Sequence, residues 1–189
     1  LLKQSKKFKV KNLIITDNKC FKKIKYKYKK INIFNNFDEL NKIFKKKIDY
    51  TMNSIVGFAG LKPTLEIIKF TKQIAIANKE SIICGWNLIK KKSILNKTKI
   101  IPIDSEHFSI WASLNKYNIN HSINLNKLVQ NLYITASGGP FNKTPIKKFK
   151  NINVNQAIKH PTWKMGKKIS VDSATLVNKL FEVIEAQRI

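Results

Sequence analysis

The sequence predicts an α/β fold with a mostly parallel sheet, because three observations agree. Short runs rich in β-branched residues alternate with helical patterns, and such alternation is typical of parallel strands joined by crossover helices. Polar motifs follow several of the predicted strands, which is the edge where these sheets bind ligands. The chain has 189 residues, 43% of them hydrophobic, which is enough to bury a core.

The predicted elements alternate along the whole chain. Acidic residues at Asp38 and Glu39 favour a helix start, and Pro63 is tolerated in a first helical turn because that turn does not need its N–H. The predicted strands are residues 10–16, 50–56, 74–77, 99–103, 132–135 and 168–171. The predicted helices are residues 37–46, a helix containing Pro63 that ends at Lys72, and residues 78–92, 107–114 and 173–189.

The chain is strongly basic, with 37 Lys and Arg against 11 Asp and Glu and a net charge of +26. Such a charge favours nucleic-acid binding, and lysines interleaved with Tyr26 and Tyr28 add to that alternative. However, Arg188 is the sole arginine, although arginine is the preferred residue for bidentate phosphate and guanine contacts. Lysine, isoleucine and asparagine share A/T-rich codons and are all abundant. We therefore interpret the charge mainly as genomic bias.

Several classes of protein are excluded. No apolar run approaches the roughly 18–20 residues of a membrane span. The two cysteines, Cys20 and Cys84, rule out a disulfide framework or a cysteine-rich zinc module, and we expect both to be buried free thiols. No serine–histidine–aspartate order, nucleophile elbow, Walker loop or G-x-G-x-x-G fingerprint is present, and residues 57–60 lack the dinucleotide spacing. The chain starts at Leu1 and stops within a helical pattern, so we expect a piece of a longer protein.

Two carboxylates, Asp104 and Glu106, follow the predicted strand 99–103. Residues i and i+2 of a strand point to the same face, and two such carboxylates repel unless a cation or proton lies between them. With a third carboxylate they suit Mg²⁺ or Mn²⁺, and Glu182 and Glu185 are the candidates for it. A solvated acidic turn is the alternative. His107, directly after the pair, is expected to support it rather than react.

Three further motifs indicate an anion or substrate site. The Ser137–Pro140 turn offers exposed backbone N–H groups, although an ordinary turn has the same composition. Residues 160–166 contain His160 and Trp163 in an irregular segment, which favours a lid or binding loop.

The predicted final helix is the third of these motifs. Ser173 is expected to cap it, which places an anion-binding N-terminus there. Asn178, Lys179 and Glu182 share one helical surface. This pattern predicts a phosphate held by Ser173, Asn178 and Lys179 with Glu182 on a metal, or else an amphipathic helix with a salt bridge.

Together these stretches resemble the 1-deoxy-D-xylulose-5-phosphate reductoisomerase family. The resemblance is close over residues 50–189, loose over residues 1–49, and follows the order of the family's motifs. The segments that carry it are IVGFAGL (55–61), ANKES (77–81), PIDSEH (102–107), SGGPF (137–141), HPTWKMG (160–166) and KISVDSAT (168–175).

The resemblance implies an α/β architecture in two parts. Residues 1–103 would form the later part of a Rossmann-like NADPH-binding domain, and residues 104–189 an incomplete α/β catalytic domain. The glycine-rich cofactor turn would precede Leu1 and a helical domain would follow Ile189, so the chain alone is expected to be inactive. The family implies a homodimer, with no nucleic-acid or membrane partner, in the bacterial cytoplasm or in plastids.

The resemblance also implies a reaction and a set of site residues. The family isomerises and reduces 1-deoxy-D-xylulose 5-phosphate to 2-C-methyl-D-erythritol 4-phosphate for isoprenoid synthesis, using NADPH and Mg²⁺, Mn²⁺ or Co²⁺. The metal ligands would be Asp104, Glu106 and Glu182, and the carbon–oxygen backbone of the substrate would contact Lys79, Ser105 and Glu106. The phosphate pocket would consist of Ser137, Ser173, Asn178 and Lys179, and the mobile loop would contribute His160 and Trp163. NADPH would contact Asn78, Glu80 and Gly166. Lys79, Asp104, Glu106, His160 and Glu182 would carry the chemistry.

The sequence departs from the family pattern at two places. Leu180 and Phe181 stand where the family usually has Gly-Leu, and Ala136 replaces a glycine or serine. Neither change removes a side chain that the chemistry needs. A sugar-phosphate dehydrogenase without the rearrangement is a further alternative to the reductoisomerase.

Overall fold

Parallel strands form two sheets in the computed structural model, which describes residues 1–28, 30–116 and 129–188. A two-stranded sheet pairs β1 (Asn12–Ile14) with β2 (Asn32–Phe34). A three-stranded sheet has the order β3 (Ile48–Asn53), β4 (Thr71–Ile76) and β5 (Lys99–Pro102). All of these pairs are parallel, so the carboxyl ends of β3, β4 and β5 meet at one edge.

Helices make up most of the remaining described structure. In chain order they are α1 (Leu2–Lys7), α2 (Asn18–Ile24), α3 (Leu40–Ile43), α4 (Leu61–Ile67), α5 (Lys79–Leu95), α6 (Ser105–Lys116), α7 (Val154–Ala157), α8 (Lys167–Ala174) and α9 (Val177–Arg188). Short 3-10 turns precede α3 and α4 and follow α4. None of the described helices is long and apolar enough to cross a membrane.

The core lies between the three-stranded sheet and the helices that connect its strands. Central strand β4 is covered on both faces, and its residues Ile74, Ala75 and Ile76 are fully buried. The cluster around it consists of Leu40, Ile67, Ile68, Ile74, Ile76, Ile82 and Ile89. Helix α5 is fixed directly after β4, because the Asn78 side chain accepts a hydrogen bond from the Ser81 N–H at 3.1 Å and caps the helix.

The predicted α/β fold with parallel strands is confirmed. The predicted strands 10–16, 50–56, 74–77 and 99–103 overlap β1, β3, β4 and β5. The helix containing Pro63 is shorter than predicted, because it ends at Ile67 and β4 already begins at Thr71.

Two predicted strands in the second half are wrong. Residues 132–135 are irregular, and Leu132 and Tyr133 are 54% and 83% exposed, so no buried face is there to favour a strand. Residues 168–171 lie in α8, where the Ser170 N–H donates to the Gly166 carbonyl at 3.1 Å. The alternation of Ile169 and Val171 suits a strand, but one helical turn buries Ser170 instead.

The predicted helix 173–189 is also wrong at its start. The chain turns between α8 and α9 at Leu176, whose φ is +59°, a left-handed conformation that few side chains adopt. Ser173 therefore lies in the last turn of α8 and is not a helix cap. The expectation that both cysteines are buried is also wrong, because Cys20 and Cys84 are exposed.

Candidate functional site

A cavity of about 930 Å³ opens at the carboxyl ends of the strands, between α5, α8 and α9. Twelve of the predicted site residues line it, whereas His160 and the alternative ligand Glu185 do not. Those that line it are Asn78, Lys79, Glu80, Asp104, Glu106, Ser137, Trp163, Gly166, Ser173, Asn178, Lys179 and Glu182. The backbone of Ser105 begins α6, and its side chain lies outside what the structure describes.

The acidic pair stands at a junction between a strand and a helix. Asp104 follows β5 and Glu106 lies in the first turn of α6, so the expectation that both point from one face of a strand is wrong. From Ser105 onward the chain is helical, and residues two apart in a helix do not point from one face. Both carboxylates nevertheless line the cavity, because the junction lies at its edge.

Lys79 joins the acidic pair to α9. Its Nζ lies 3.0 Å from Asp104 Oδ2 and 3.2 Å from Glu182 Oε1, and it donates to Asn178 Oδ1 at 3.1 Å. Burial opposes the charge on this ammonium, but the neighbouring carboxylates of Asp104 and Glu182 outweigh burial and raise the pKa of Lys79. The lysine is therefore a cation held between two carboxylates.

Glu182 is the centre of the charged cluster and is only 3% exposed. Its Oε1 accepts from Asn178 Nδ2 at 2.6 Å, and its Oε2 pairs with the ammonium of Lys179. Lys179 Nζ in turn lies 4.0 Å from Glu106 Oε1. Lys79 and Lys179 thus bridge Glu182 to the two carboxylates of the acidic pair.

Behind this cluster lie two buried groups, His107 on α6 and Glu185 on α9. His107 Nε2 is 2.7 Å from the Glu182 carbonyl oxygen, and His107 Nδ1 is 3.2 Å from Glu185 Oε2. Burial, followed by the charge of Asp104, raises the pKa of Glu185 to about 8. These contacts are with Glu182 and Glu185, so the expectation that His107 supports Asp104 and Glu106 stays a prediction.

A second polar group forms around Ser137 on the other side of the cavity. His160 Nδ1 accepts from the N–H groups of Thr162 and Trp163 at 3.2 and 3.0 Å, so the ring proton lies on Nε2. That Nε2 donates to Ser137 Oγ at 2.9 Å, and Ser137 Oγ lies 3.5 Å from Ser173 Oγ. His160 thus reaches the cavity through Ser137.

Close packing against α8 explains the glycines of the Ser137–Pro140 turn. Gly138 and Gly139 have φ of +81° and +65°. A Cβ on Gly139 would lie 2.8 Å from the Ala174 Cα and from the Ser173 carbonyl oxygen. Only glycine allows both the backbone conformation and this approach, which places Ser137 beside Ser173.

An ion network that was not predicted from the sequence also lines the cavity. Lys168 Nζ lies 2.5 Å from Asp172 Oδ2 and 3.4 Å from Glu80 Oε1, and 5.3 Å from the centre of the Phe181 ring. The i, i+4 spacing of Lys168 and Asp172 is the signal that could have revealed it. The strand prediction for residues 168–171 concealed that signal.

The cavity also has a polar edge beside β4. Asn78 is 5% exposed, and its Nδ2 has no hydrogen-bond partner in the described part of the chain. A Cβ on Gly60 would lie 2.6 Å from that nitrogen, so glycine is needed for Asn78 to occupy its place. A buried unpaired donor on a cavity wall suits a polar ligand group.

Asp104, Glu106 and Glu182 offer carboxylate oxygens, the type of donor that a hard divalent cation prefers. In this structure the ammonium groups of two lysines pair with these carboxylates. A different trio, Asp104, His107 and Glu185, has its ligand atoms within 4.8 Å of one another. His107 and Glu185 do not line the cavity, whereas the three carboxylates of the first set do.

A parallel α/β sheet with a polar cleft at its carboxyl edge is typical of a Rossmann-like protein. The family model of the 1-deoxy-D-xylulose 5-phosphate reductoisomerase C-terminal domain matches residues 100–189. The model of 1-deoxy-D-xylulose 5-phosphate reductoisomerase matches residues 1–85. The chain belongs to the 1-deoxy-D-xylulose 5-phosphate reductoisomerase family.

Curated relatives with that name match the whole chain. The one from Pelagibacter ubique (strain HTCC1062) is 58% identical over 194 residues, which cover 100% of this chain and 48% of the relative. The one from Thermodesulfovibrio yellowstonii is 40% identical over 187 residues, covering 98% and 47%. The chain thus spans about half the length of these two relatives.

Solved structures of the family have the same fold. A DOX-P reductoisomerase in complex with NADPH, fosmidomycin and magnesium superimposes with a TM-score of 0.82 at 33% identity, covering 99% of this chain and 48% of that one. The enzyme from Zymomonas mobilis in complex with NADPH gives a TM-score of 0.76 at 33% identity, covering 97% and 46%.

Proposed function

We propose that the protein to which this chain belongs isomerises and reduces 1-deoxy-D-xylulose 5-phosphate to 2-C-methyl-D-erythritol 4-phosphate, using NADPH and a divalent metal. The observation that carries this proposal is the convergence of Asp104, Glu106 and Glu182 in one cavity with two lysines and the Ser137–His160 pair. The names and complexes of the relatives support it.

We infer that Asp104, Glu106 and Glu182 hold the metal, which is Mg²⁺ or Mn²⁺, with Co²⁺ as a further option. When bound, such an ion supplies a Lewis acid that polarises substrate oxygens and stabilises negative charge on them. Lys79 and Ser105 contact the carbon–oxygen backbone of the substrate. Lys79 is well placed for this contact because its ammonium lies on the cavity wall beside the same carboxylates.

The phosphate of the substrate is proposed to bind to Ser137, Ser173, Asn178 and Lys179. The Ser137 and Ser173 hydroxyls lie 3.5 Å apart and face one space, which supports a shared anionic partner. His160 donates to Ser137 and would orient its hydroxyl. Trp163 is 62% exposed beside this space and would cover the bound substrate, excluding water.

The NADPH is proposed to contact Asn78, Glu80 and Gly166. The unpaired amide of Asn78 and its place after β4 support a cofactor at the carboxyl edge of the sheet. The nicotinamide supplies the hydride, and the protein supplies orientation. In this proposal residues 1–103 belong to the NADPH-binding domain and residues 104–189 to the catalytic domain.

The proposal extends to the assembly and location of the protein. We propose a cytoplasmic location on the grounds of the bacterial relatives, and a homodimer because the resemblance to the family implies one. We expect no nucleic-acid or membrane partner. A steep salt dependence of affinity for DNA or RNA would instead favour the lysine-rich nucleic-acid-binding alternative.

A chimera tests the reaction. Residues 1–189 replace the matching half of the Pelagibacter ubique protein, and NADPH oxidation is followed with 1-deoxy-D-xylulose 5-phosphate and Mn²⁺. We expect the branched product 2-C-methyl-D-erythritol 4-phosphate, and at least a hundredfold slower turnover for Asp104→Asn, because one ligand charge is lost. Asp49→Asn, at an exposed residue paired with Lys72, is the matched control and should be unchanged.

The product decides between the enzymatic alternatives. An unbranched reduced sugar would show a sugar-phosphate dehydrogenase without the rearrangement. No turnover in a chimera that folds and binds NADPH would contradict both readings.

A further inference from the structure

Two buried side chains behind the metal-binding carboxylates, His107 and Glu185, have no role in the function proposed above. They are 2% and 0% exposed. His107 comes from α6 and Glu185 from α9, so their contact joins the two helices that carry Glu106 and Glu182. Buried polar groups are costly unless they are paired, which makes this contact informative.

The hydrogen bonds of His107 define how its ring is held. Nε2 lies 2.7 Å from the carbonyl oxygen of Glu182, and a carbonyl can only accept, so Nε2 is the donor. Nδ1 then faces Glu185 Oε2 at 3.2 Å, and one proton must lie between these two atoms. The two side chains meet at ion-pair distance without hydrogen-bond geometry, because Nδ1 and both carboxyl oxygens of Glu185 have no hydrogen-bond partner among the described residues.

This chain of contacts ends on the backbone of a proposed metal ligand. The carbonyl that His107 holds belongs to Glu182, whose carboxylate pairs with Lys79 and Lys179 on the cavity wall. Groups that orient a ligand in this way tune metal affinity without touching the metal. Glu185 stands one step further back and fixes the ring.

We propose that Glu185 is a positioning residue: through His107 it holds the Glu182 backbone, so that the Glu182 carboxylate faces Asp104 and Glu106. This inference rests on the proposed function, because it takes Glu182 as a metal ligand. The competing arrangement is a cation bound directly by Asp104, His107 and Glu185, whose ligand atoms lie within 4.8 Å. Against it, neither His107 nor Glu185 lines the cavity.

The neutral substitution Glu185→Gln separates the two arrangements. Glutamine keeps the size of the side chain and can donate an N–H to His107 Nδ1, but it is a poor metal ligand. Glu185→Met keeps the volume and removes the polar contact with His107. Glu182→Gln is the matched control, since it makes the same change at a proposed ligand.

Two readouts on the 189-residue chain are used. The first needs no metal: solvent exchange of the His107 Hε2 proton by NMR, assigned with His107→Leu. We expect slow exchange in the unmodified chain and in Glu185→Gln, and fast exchange in Glu185→Met.

The second readout is the affinity for Mn²⁺, measured by calorimetric titration. We expect Glu185→Gln within about threefold of the unmodified chain, and Glu185→Met and Glu182→Gln weaker by roughly 10–100-fold.

Coupling between the two residues adds a readout that a general loss of packing does not move. If Glu185 acts through His107, the double variant Glu185→Met with His107→Leu binds Mn²⁺ no more weakly than His107→Leu alone. Additive losses overturn the proposal. Should Glu185→Met not fold, Glu185→Gln against Glu182→Gln still decides it.

The remaining outcomes are equally definite. Mn²⁺ affinity of Glu185→Gln as low as that of Glu182→Gln would identify Glu185 as a ligand and overturn the proposal. Fast Hε2 exchange in the unmodified chain would overturn it as well. If the unmodified chain binds no Mn²⁺, the proposed metal site fails, and the Hε2 exchange alone still decides whether Glu185 holds His107.

Discussion

Replacing Lys79 with methionine tests how the acidic cluster is balanced. The ammonium of Lys79 lies 3.0 Å from Asp104 and 3.2 Å from Glu182, two of the three proposed metal ligands. A divalent cation on the same oxygens would need metal–oxygen distances of about 2.1 Å and would compete with the ammonium for them. We therefore expect Lys79→Met to bind Mn²⁺ more tightly, although it removes a group that the proposed reaction uses.

The magnitude follows from the geometry. One ion pair at about 4 Å is worth about 4 kcal/mol at an effective dielectric of about 20 and about 1 kcal/mol in water. The Lys79 side chain is 16% exposed, and its desolvation offsets part of the attraction to the carboxylates. We therefore expect that removing the ammonium makes the free energy of Mn²⁺ binding more favourable by about 1–2 kcal/mol. That corresponds to Mn²⁺ affinity higher by roughly 5–30-fold.

Calorimetric titration of the 189-residue chain with Mn²⁺ measures this change. Lys168→Met is the matched control, because Lys168 lines the same cavity but pairs with Glu80 and Asp172. We expect its affinity to change by less than about twofold. If Lys79→Met binds Mn²⁺ as the unmodified chain does, or more weakly, the competition between ammonium and metal is refuted.

Three further outcomes are expected. Gly139→Ala should lower the free energy of unfolding in urea by at least about 1–2 kcal/mol more than Gly57→Ala, because both have positive φ but only Gly139 has backbone within 4 Å of the added Cβ; equal losses would contradict the packing argument. The raised pKa of Glu185, about 8, means that its protonated form favours folding. In metal-free buffer the stability that protonated Glu185 contributes is complete below about pH 4.5 and is lost as pH rises through about 8. Across that range the free energy of unfolding of Glu185→Gln should therefore rise relative to that of the unmodified chain by on the order of 1–3 kcal/mol. If the two free energies of unfolding change with pH in parallel, the assignment is refuted. In the chimera, Ser137→Ala should raise KM for the sugar phosphate more than it lowers kcat, because it removes a hydroxyl proposed to bind the phosphate, whereas Ser54→Ala on the same cavity should change neither; a loss confined to kcat would contradict this.

Local patterns were sufficient where one periodicity had no competitor. The second half of β4 and the middle of β5 are apolar, and Asn78 is a strong capping residue after β4, so strand, cap and helix were all predictable. Residues 168–171 fit two periods, and the burial of Ser170 decided for the helix. The break at Leu176 left no local signal, since a leucine with φ of +59° is held there by its surroundings.

The candidate site divides in the same way. Residue types and spacing pointed to Asp104 and Glu106 and left Glu182 and Glu185 open as the third carboxylate. The resemblance to the family then selected Lys79 and Glu182. Their mutual distances were not predictable, since Lys79 and Glu182 are 103 residues apart and meet only when α9 packs against α5. The Lys168–Asp172 pair was missed because residues 168–171 were predicted as a strand, in which residues four apart do not form the helical i, i+4 pair.

The sequence by itself determined the α/β class, the family and the chemical types at the cleft, because periodicity, capping and motif order are local properties of the chain. Only the tertiary structure decided which charges meet: that Lys79 lies between Asp104 and Glu182, that Asp104 and Glu106 stand at a strand–helix junction, and that His107 and Glu185 are buried behind them. Burial and distance set the strength of a charge interaction, and both depend on how separate helices pack.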